Sequence, residues 1–299
     1  MKTMLVTGAN GMVGKSLVPK ASAAYEILAP SSKELNLLQP EAVDRYLQKH
    51  KPDIIVHAAG RVGGIKANME NSYAFLYENM VMGFNVVNSA KNAGIGCFIN
   101  LASSCMYPKE ATNPLKESMI GNGALESTNE GYALAKISVA KLCAAIGYKT
   151  LVPCNLYGPY DKFSIETAHM IPAVIRKTHD VKVNGGKLVM WGTGLARREF
   201  MFVGDLTDYI MHVLPRYDLL PVISNVGLGY DYTILQYYEA IKEVVGLDAD
   251  IEFDLTKPEG MKQKLVDISN QTKMNWQPRI SLEEGIKQTY RFFLNQYEI

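Results

Sequence analysis

Residues 4–14 decide the fold of this chain, and they read Met-Leu-Val-Thr-Gly-Ala-Asn-Gly-Met-Val-Gly. A short apolar run at 4–7 leads directly into a loop with the spacing Gly8-x-x-Gly11-x-x-Gly14. Glycines at this spacing permit a tight turn and a close approach of the backbone to a diphosphate, and a helix that follows offers free N–H groups. We therefore predict a strand, a nucleotide-binding loop and a helix over about 12–24, which Pro19 should kink or shorten.

Downstream of this loop, apolar runs alternate with helical patterns. The runs lie at 54–59 and 98–102, and the helical patterns at 41–49, 73–92 and 130–146. Continuous apolar runs of this length are typical of strands buried on both faces of a parallel sheet. Their alternation with helices implies right-handed βαβ units. The fold class we expect is α/β, with a doubly wound, Rossmann-type parallel sheet.

Composition narrows the kind of partner. The chain has 299 residues, of which 47% are hydrophobic, and 31 Lys and Arg against 30 Asp and Glu give a net charge of +1. This balance argues against binding to nucleic acid or to an anionic membrane. No apolar run approaches the ~20 residues of a membrane span, and no signal peptide is visible. The four cysteines form no C-x-x-C pair and no zinc pattern. We expect a cytoplasmic protein without a metal, acting on a small molecule.

The residues after the first strands indicate which dinucleotide binds. A site that prefers NAD needs a carboxylate at the end of the second strand, but residues 29–33 read Ala-Pro-Ser-Ser-Lys and the first carboxylate is Glu34. Two hydroxyls and a lysine suit a 2′-phosphate better, so we predict NADP, with NAD as the alternative. The predicted cofactor-binding residues are Gly8, Asn10, Gly11, Met12, Val13, Gly14, Ser32, Lys33, Ala58, Ala59 and Gly60.

The second half of the chain is less regular. We predict a helix near 170–179, a strand that turns into a helix over 202–213, a short strand at 224–227, and helices at 234–245 and 282–296. From this we expect an NADP-binding Rossmann domain formed by 1–155 with about 201–227. A smaller α/β substrate lobe should comprise 156–200 and 228–299.

Tyr132 and Lys136 form the candidate catalytic pair. They lie four residues apart in a helical pattern and so share one helix face. A lysine ammonium beside a phenol should lower the pKa of the phenol from ~10. Tyr132 could then pass a proton to a carbonyl oxygen, and Ser103, at the end of an apolar run, could hydrogen-bond the same oxygen.

Together these residues resemble the extended short-chain dehydrogenase/reductase family, and in particular its branch that epimerises and reduces GDP-4-keto sugars. Further matching stretches run in order over nearly the whole chain: Ala59–Ile65, Ser103–Lys109, Thr128–Ala133, Asn155–Pro159, His169–Pro172, Trp191–Gly194 and Arg198–Phe200. The resemblance implies an NADPH-dependent enzyme that inverts C3 and C5 of GDP-4-keto-6-deoxymannose and reduces its C4 carbonyl. A related GDP-4-keto-deoxy sugar, from a colitose or 6-deoxyheptose pathway, stays open as the substrate.

The same resemblance implies roles for individual residues. Cys105 would be the base and His169 the acid of epimerisation, since both titrate near enough to neutrality for proton exchange. The further implied contacts are Tyr132, Lys136, Asn155 and His169 with the cofactor, Lys177, Arg198 and Lys264 with the diphosphate of GDP, and Trp191 with the guanine or the sugar. A homodimer paired through the helices at 73–92 and 130–146 is also implied. Two departures concern the cofactor, because Asn10 and Ser32 stand where relatives often carry arginine.

Overall fold

A computed structural model describes residues 1–164, 168–257 and 260–297. The strands are β1 (Thr3–Thr7), β2 (Glu26–Leu28), β3 (Ile54–His57), β4 (Cys97–Leu101), β5 (Lys149–Pro153), β6 (Asn155–Tyr157), β7 (Leu188–Trp191), β8 (Arg197–Arg198), β9 (Phe200–Phe202), β10 (Ile223–Val226), β11 (Tyr232–Thr233), β12 (Ile251–Asp254) and β13 (Gln263–Lys264). The helices are α1 (Met12–Ala21), α2 (Pro40–His50), α3 (Ile65–Glu70), α4 (Ser72–Asn92), α5 (Glu130–Ala145), α6 (Met170–Asn184), α7 (Val203–Val213), α8 (Ile234–Val245), α9 (Ser269–Lys273) and α10 (Leu282–Gln296).

The central sheet has six strands in the order β2-β1-β3-β4-β5-β10, and all neighbours are parallel. This confirms the α/β class and the doubly wound parallel sheet. Because the chain runs from β1 outward to β2 and then crosses back to β3, the topological switch point lies between β1 and β3. Open α/β sheets bind their ligands at such a point, outside the carboxyl ends of the strands.

Most helices begin and end close to the predicted positions. α8 and α10 match their predicted ranges, and α1 is short, ending two residues after Pro19. α6 is longer than predicted and ends at Asn184, where Gly185 takes a positive φ of 74°. The sequence analysis missed α3, a short helix whose Asn68 amide donates to the carbonyls of Gly63 and Gly64 (2.9 and 3.0 Å).

Hydrophobic residues pack on both faces of the large sheet, and a separate hydrophobic cluster lies away from the sheet. One face packs against α1 and α7, and the other against α2, α4 and α5. The second cluster lies among α6, α8 and α10. The predicted division into domains stays a prediction, but Val266, Met274 and Trp276, which it assigns to the lobe, pack in the core of the large sheet. Within the part of the chain that the structure describes, no helix is both long and apolar enough to span a membrane.

Candidate active site

The loops that follow β1 and β3 meet at the switch point. Gly8 has a φ of 71°, and a Cβ atom at this position would lie 2.7 Å from the Ala59 backbone. A side chain at residue 8 is therefore excluded twice, by the conformation and by the space. The structure thus brings the glycine loop and the 58–60 segment together at the carboxyl edge of the sheet.

The glycine loop has the shape that a bound diphosphate needs. A Cβ atom at Gly14 would lie 2.4 Å from the carbonyl oxygen of Gly8, so helix α1 starts directly against the turn. Gly11 caps the helix without a side-chain hydrogen bond, and the first turn of α1 carries no acidic residue. The N–H groups of the first turn are thus free to bind an anion, favoured by the helix dipole. This cradle fits a dinucleotide.

Ser32 and Lys33 lie in the turn after β2, beside this cradle. Asn10, which follows Gly8 by two residues, and Lys33 are both exposed. The carboxylate of Glu34 accepts a hydrogen bond of 2.8 Å from the Ser31 backbone N–H. The nearest acidic side chain in sequence is therefore occupied within its own turn.

Lys136 is buried beside the loops that meet at the switch point. Its Nζ atom donates to the carbonyl oxygen of Leu101 (2.9 Å) and lies 5.7 Å from the ring centroid of Tyr132. A Cβ atom at Gly60 would lie 3.6 Å from the same nitrogen. Burial lowers the pKa of Lys136 to about 8. The lysine joins the 58–60 loop, the end of β4 and the phenol of Tyr132 in one site, and is mainly charged at neutral pH.

Ser103, Cys105 and Tyr132 form a cluster at the end of β4. The Ser103 hydroxyl accepts from the Cys105 backbone N–H (3.4 Å), and it lies close enough to the Cys105 thiol and the Tyr132 phenol to lower the pKa of each. Burial raises the pKa of the Cys105 thiol, while the Lys264 ammonium, the Ser103 hydroxyl and the Lys136 ammonium act in the opposite direction. The three side chains therefore share one hydrogen-bonded site.

The pKa of Tyr132 differs from the sequence-based expectation. Burial, together with the charge that Cys105 can carry, raises this pKa, and the Ser103 hydroxyl offsets only part of the effect. The expected lowering by Lys136 is not found; its ammonium donates to the carbonyl oxygen of Leu101 and lies 5.7 Å from the centroid of the Tyr132 ring. Tyr132 is therefore a protonated phenol at neutral pH.

His169 immediately precedes α6 and is exposed to solvent. The surrounding protein and the positive charge of Lys162 lower its pKa. The helix N-terminus also disfavours a positive charge there. None of the described contacts join His169 to Cys105. Asn155, in β6, donates instead to the carbonyl oxygen of Glu199 (3.0 Å).

The four residues predicted to bind the GDP moiety form two pairs. Lys177 lies 5.6 Å from the ring centroid of Trp191, beside a cavity of about 290 Å³ lined by Lys177, Asp180, Val181, Lys187, Val189 and Trp191. Arg198 and Lys264 are register partners on the parallel strands β8 and β13. Within residues 1–164, 168–257 and 260–297, neither Arg198 nor Lys264 makes an ion pair. Their two charges are thus available to an anionic ligand.

Three residues near the site were not predicted. Lys257 lies 5.8 Å from the Trp191 ring, and Lys162 acts electrostatically on His169. His57 is buried beside Lys136, with its Nδ1 atom 2.7 Å from the Thr7 hydroxyl. A polar residue ending the apolar run 54–59 was a usable signal for His57, whereas nothing in the sequence around the two lysines pointed to a site.

Comparison with known proteins identifies one family model and several relatives that match nearly the full length of the chain. Residues 4–227 match the model of the NAD dependent epimerase/dehydratase family. The chain is 48% identical to the GDP-L-colitose synthase of Yersinia pseudotuberculosis over 98% of both chains. It is 44% identical to the GDP-L-fucose synthase of Azorhizobium caulinodans over 100% of this chain and 98% of the relative. Among solved structures, an NADP-bound GDP-mannoheptose C4 reductase from Campylobacter jejuni superposes with a TM-score of 0.88 at 28% identity, covering 98% of each chain.

Proposed function

We propose, from the premise that this chain belongs to the NAD dependent epimerase/dehydratase family, that it is an NADPH-dependent epimerase and reductase of a GDP-4-keto sugar. The relatives named for GDP-L-fucose, GDP-L-colitose and GDP-mannoheptose chemistry support this class of substrate and reaction. The finer proposal is that GDP-4-keto-6-deoxymannose is converted to GDP-L-fucose by inversion at C3 and C5 and reduction at C4. The observation that carries it is the cluster of Ser103, Cys105 and Tyr132 above Lys136.

The cofactor would lie across the switch point. Its diphosphate would contact the N–H groups at the start of α1, and Ser32 and Lys33 would face a 2′-phosphate, with Asn10 beside them. Lys136 would hydrogen-bond the ribose next to the nicotinamide, and Asn155 and His169 would lie at the nicotinamide end. When bound, NADPH supplies the hydride that reduces the C4 carbonyl.

Reduction needs a proton donor at the C4 oxygen, and Tyr132 is suited to that role. Burial raises its pKa, so the phenol is in its protonated form at neutral pH. The Ser103 hydroxyl would donate a second hydrogen bond to the same oxygen.

Epimerisation needs a base and an acid at the sugar ring, because the C4 carbonyl acidifies the protons on C3 and C5. Cys105 would remove the proton as a thiolate, and His169 would return one on the other face. The electron pair moves onto the C4 oxygen, where Ser103 and Tyr132 stabilise the enolate. The cleft then carries one group for each proton transfer.

The GDP end of the substrate would contact the two positively charged pairs. Arg198, whose guanidinium can bind a diphosphate with two parallel hydrogen bonds, and Lys264 lie free of ion pairs with the described residues. Trp191 is about half exposed (56%) and offers an aromatic face for guanine, with Lys177 beside it. These contacts favour a nucleoside diphosphate sugar over a free sugar.

GDP-L-colitose is the second candidate product, because the relative that is named for it shares 48% of the sequence. The two products differ at C3, where L-fucose carries a hydroxyl and L-colitose does not. The test is to offer each GDP-4-keto sugar with NADPH and to follow NADPH consumption and product identity. Preferred turnover of GDP-4-keto-6-deoxymannose supports the first candidate, preferred turnover of its 3-deoxy counterpart supports the second, and no turnover of either contradicts both.

A homodimer is proposed through α4 and α5. These helices pack on each other and bury one face against the sheet, while Tyr73, Tyr77 and Phe84 of α4 and Leu134 of α5 remain exposed. A second copy that pairs the same helices would cover these side chains. Sedimentation of the protein and of Tyr77→Lys tests this, with dimer and monomer expected respectively; a monomeric wild-type protein would contradict it.

A further inference from the structure

The segment that carries Lys264 is joined to residues 113–115, downstream of Cys105. Leu115 donates its backbone N–H to the carbonyl oxygen of Leu265 (2.8 Å) and forms a parallel bridge with Val266. The backbone N–H of Leu265 in turn donates to the side chain of Asn113 (2.7 Å). Residues 113–115 and 265–266 are therefore joined along their backbones.

A single buried side chain strengthens this connection. The amide of Asn225, at 0% exposure, donates to the carbonyl oxygens of Leu115 (2.9 Å) and Asp267 (3.0 Å). Its Oδ1 atom accepts from the hydroxyl of Tyr107 (2.5 Å), two residues after Cys105. Asn225 thus contacts the segments around Tyr107, Leu115 and Asp267 at once.

Lys264 is also held from its other side. Glu199 is buried (1% exposed), and its carboxylate accepts the backbone N–H of Val266 (2.9 Å), two residues after Lys264. The backbone that follows Lys264 is thus held by Glu199 as well as by Asn225. A charge in a fixed position can stabilise a neighbouring charge without the cost of reorganisation.

The charges around Cys105 come from two elements. Lys136 and Tyr132 face it from α5, and Lys264 faces it from β13. Lys264 in turn is close enough to Arg198 and Glu126 to interact electrostatically with both. Both ammonium groups favour the charged form of the thiol.

We infer that Lys264 is a positioning residue for Cys105. The ammonium of Lys264 favours the Cys105 thiolate that the epimerisation step needs. This deepens the proposed function, because a thiol buried to 7% exposure is otherwise held in its protonated form. In the step itself the thiolate takes a proton from C3 or C5, and the electron pair goes to the C4 oxygen. Lys264 gains and loses no proton. The charge of Lys264 would then act on two groups, the Cys105 thiolate and the diphosphate of the sugar nucleotide.

The test titrates Cys105 in the free protein, without substrate or cofactor. Thiolate formation is followed by ultraviolet absorbance as pH rises, and the same titration of Cys105→Ser is subtracted in each background. Lys264→Met should move the Cys105 midpoint upward by about one pH unit or more, since an opposite charge at short range has an effect of that size. Lys264→Arg should restore most of the wild-type midpoint.

Lys262→Met is the matched control, since this exposed lysine lies two residues away in the same segment. It should leave the midpoint unchanged. A midpoint in Lys264→Met equal to that of wild type and Lys262→Met overturns the inference. If Lys264→Met does not fold, Lys264→Gln takes its place and the same comparison applies.

A second measurement separates this inference from the proposed function. The rate of deuterium exchange into the GDP-4-keto sugar should shift along the pH axis in Lys264→Met by the same amount as the thiol midpoint. If the pH profile of deuterium exchange is the same in Lys264→Met and in the wild-type protein, the inference is overturned for catalysis. If the thiol midpoint shifts but no variant turns over any keto sugar, the proposed function fails while the effect of Lys264 on Cys105 stands.

Discussion

The Nζ atom of Lys136 lies 2.9 Å from the carbonyl oxygen of Leu101. This contact ties the catalytic helix α5 to the end of β4, two residues before Ser103. It also orients the ammonium over the ring of Tyr132, at 5.7 Å from the centroid. The lysine charge therefore lies near the phenol ring, and burial of Tyr132 raises the pKa of the phenol.

Replacing Tyr132 with Phe should slow carbonyl reduction by about 10²–10⁴-fold, the range for loss of a general acid. NADPH affinity should change little, because the contacts of the glycine loop and of Lys136 remain. Single-turnover NADPH oxidation and NADPH titration measure the two effects separately. An equal loss of NADPH binding would indicate a misfolded site and count against the proton-donor role.

Cys105→Ser should keep carbonyl reduction and lose most epimerisation, by about 10²–10⁴-fold. The reason is that Cys105 has no part in hydride transfer, whereas a serine hydroxyl is a far weaker base than a thiolate. The stereochemistry of the reduced sugar, read by NMR, gives the ratio of epimerised to unepimerised product. A ratio equal to that of the wild-type protein would refute the assignment of the base.

Gly14→Ala should lower the free energy of unfolding by about 1–3 kcal/mol, the usual cost of forcing extra atoms into a packed site. The added Cβ would lie 2.4 Å from the carbonyl oxygen of Gly8, against 3.3 Å for the matched variant Gly11→Ala. Urea unfolding of both variants without cofactor makes the comparison. Equal destabilisation by the two substitutions would contradict the geometry of the loop.

His57 should make stability depend on acid pH. In the folded protein its pKa is lowered to about 3 by burial and by the Lys136 charge, whereas the unfolded chain titrates near ~6.5. The unfolded chain therefore binds more protons between these values, so the stabilisation is complete above about pH 6.5 and is lost as pH falls toward 3.

The matched variant for this effect is His57→Gln. At ~1.4 kcal/mol per unit of pH, the wild-type protein should lose about 2 kcal/mol more than His57→Gln between pH 7 and pH 5. Urea unfolding at the two pH values measures this difference. If the wild-type protein and His57→Gln lose the same free energy of unfolding, His57 does not contribute to the pH dependence of stability.

Much of the site was predictable because parallel strands bring their carboxyl ends to one edge. Once the apolar runs at 4–7, 54–59 and 98–102 are taken as neighbouring strands, Gly8, Gly60 and Ser103 must lie close together. Helical periodicity then adds Tyr132 and Lys136 to the same edge. These inferences need only local patterns and the topology rules of the fold class.

The remaining features depend on contacts between distant parts of the chain. The proposed effect of Lys264 on Cys105 depends on where β13 lies, beside β8 and near the contacts of Asn225, and two-residue strands leave no periodic signal. The direction of the Tyr132 pKa shift was wrong for a related reason. Sequence spacing gives the helix face of Lys136 but not the carbonyl to which its ammonium donates.

The proposed chemistry depends most on proton exchange at two carbons beside the ketone, and deuterium labelling tests it most directly. The wild-type protein is given GDP-4-keto-6-deoxymannose and NADPH in D2O, and the reduced product is analysed by NMR. Deuterium at both C3 and C5 of a reduced sugar is the predicted result. Reduced product with deuterium at neither carbon would leave a plain keto reductase and contradict the epimerase.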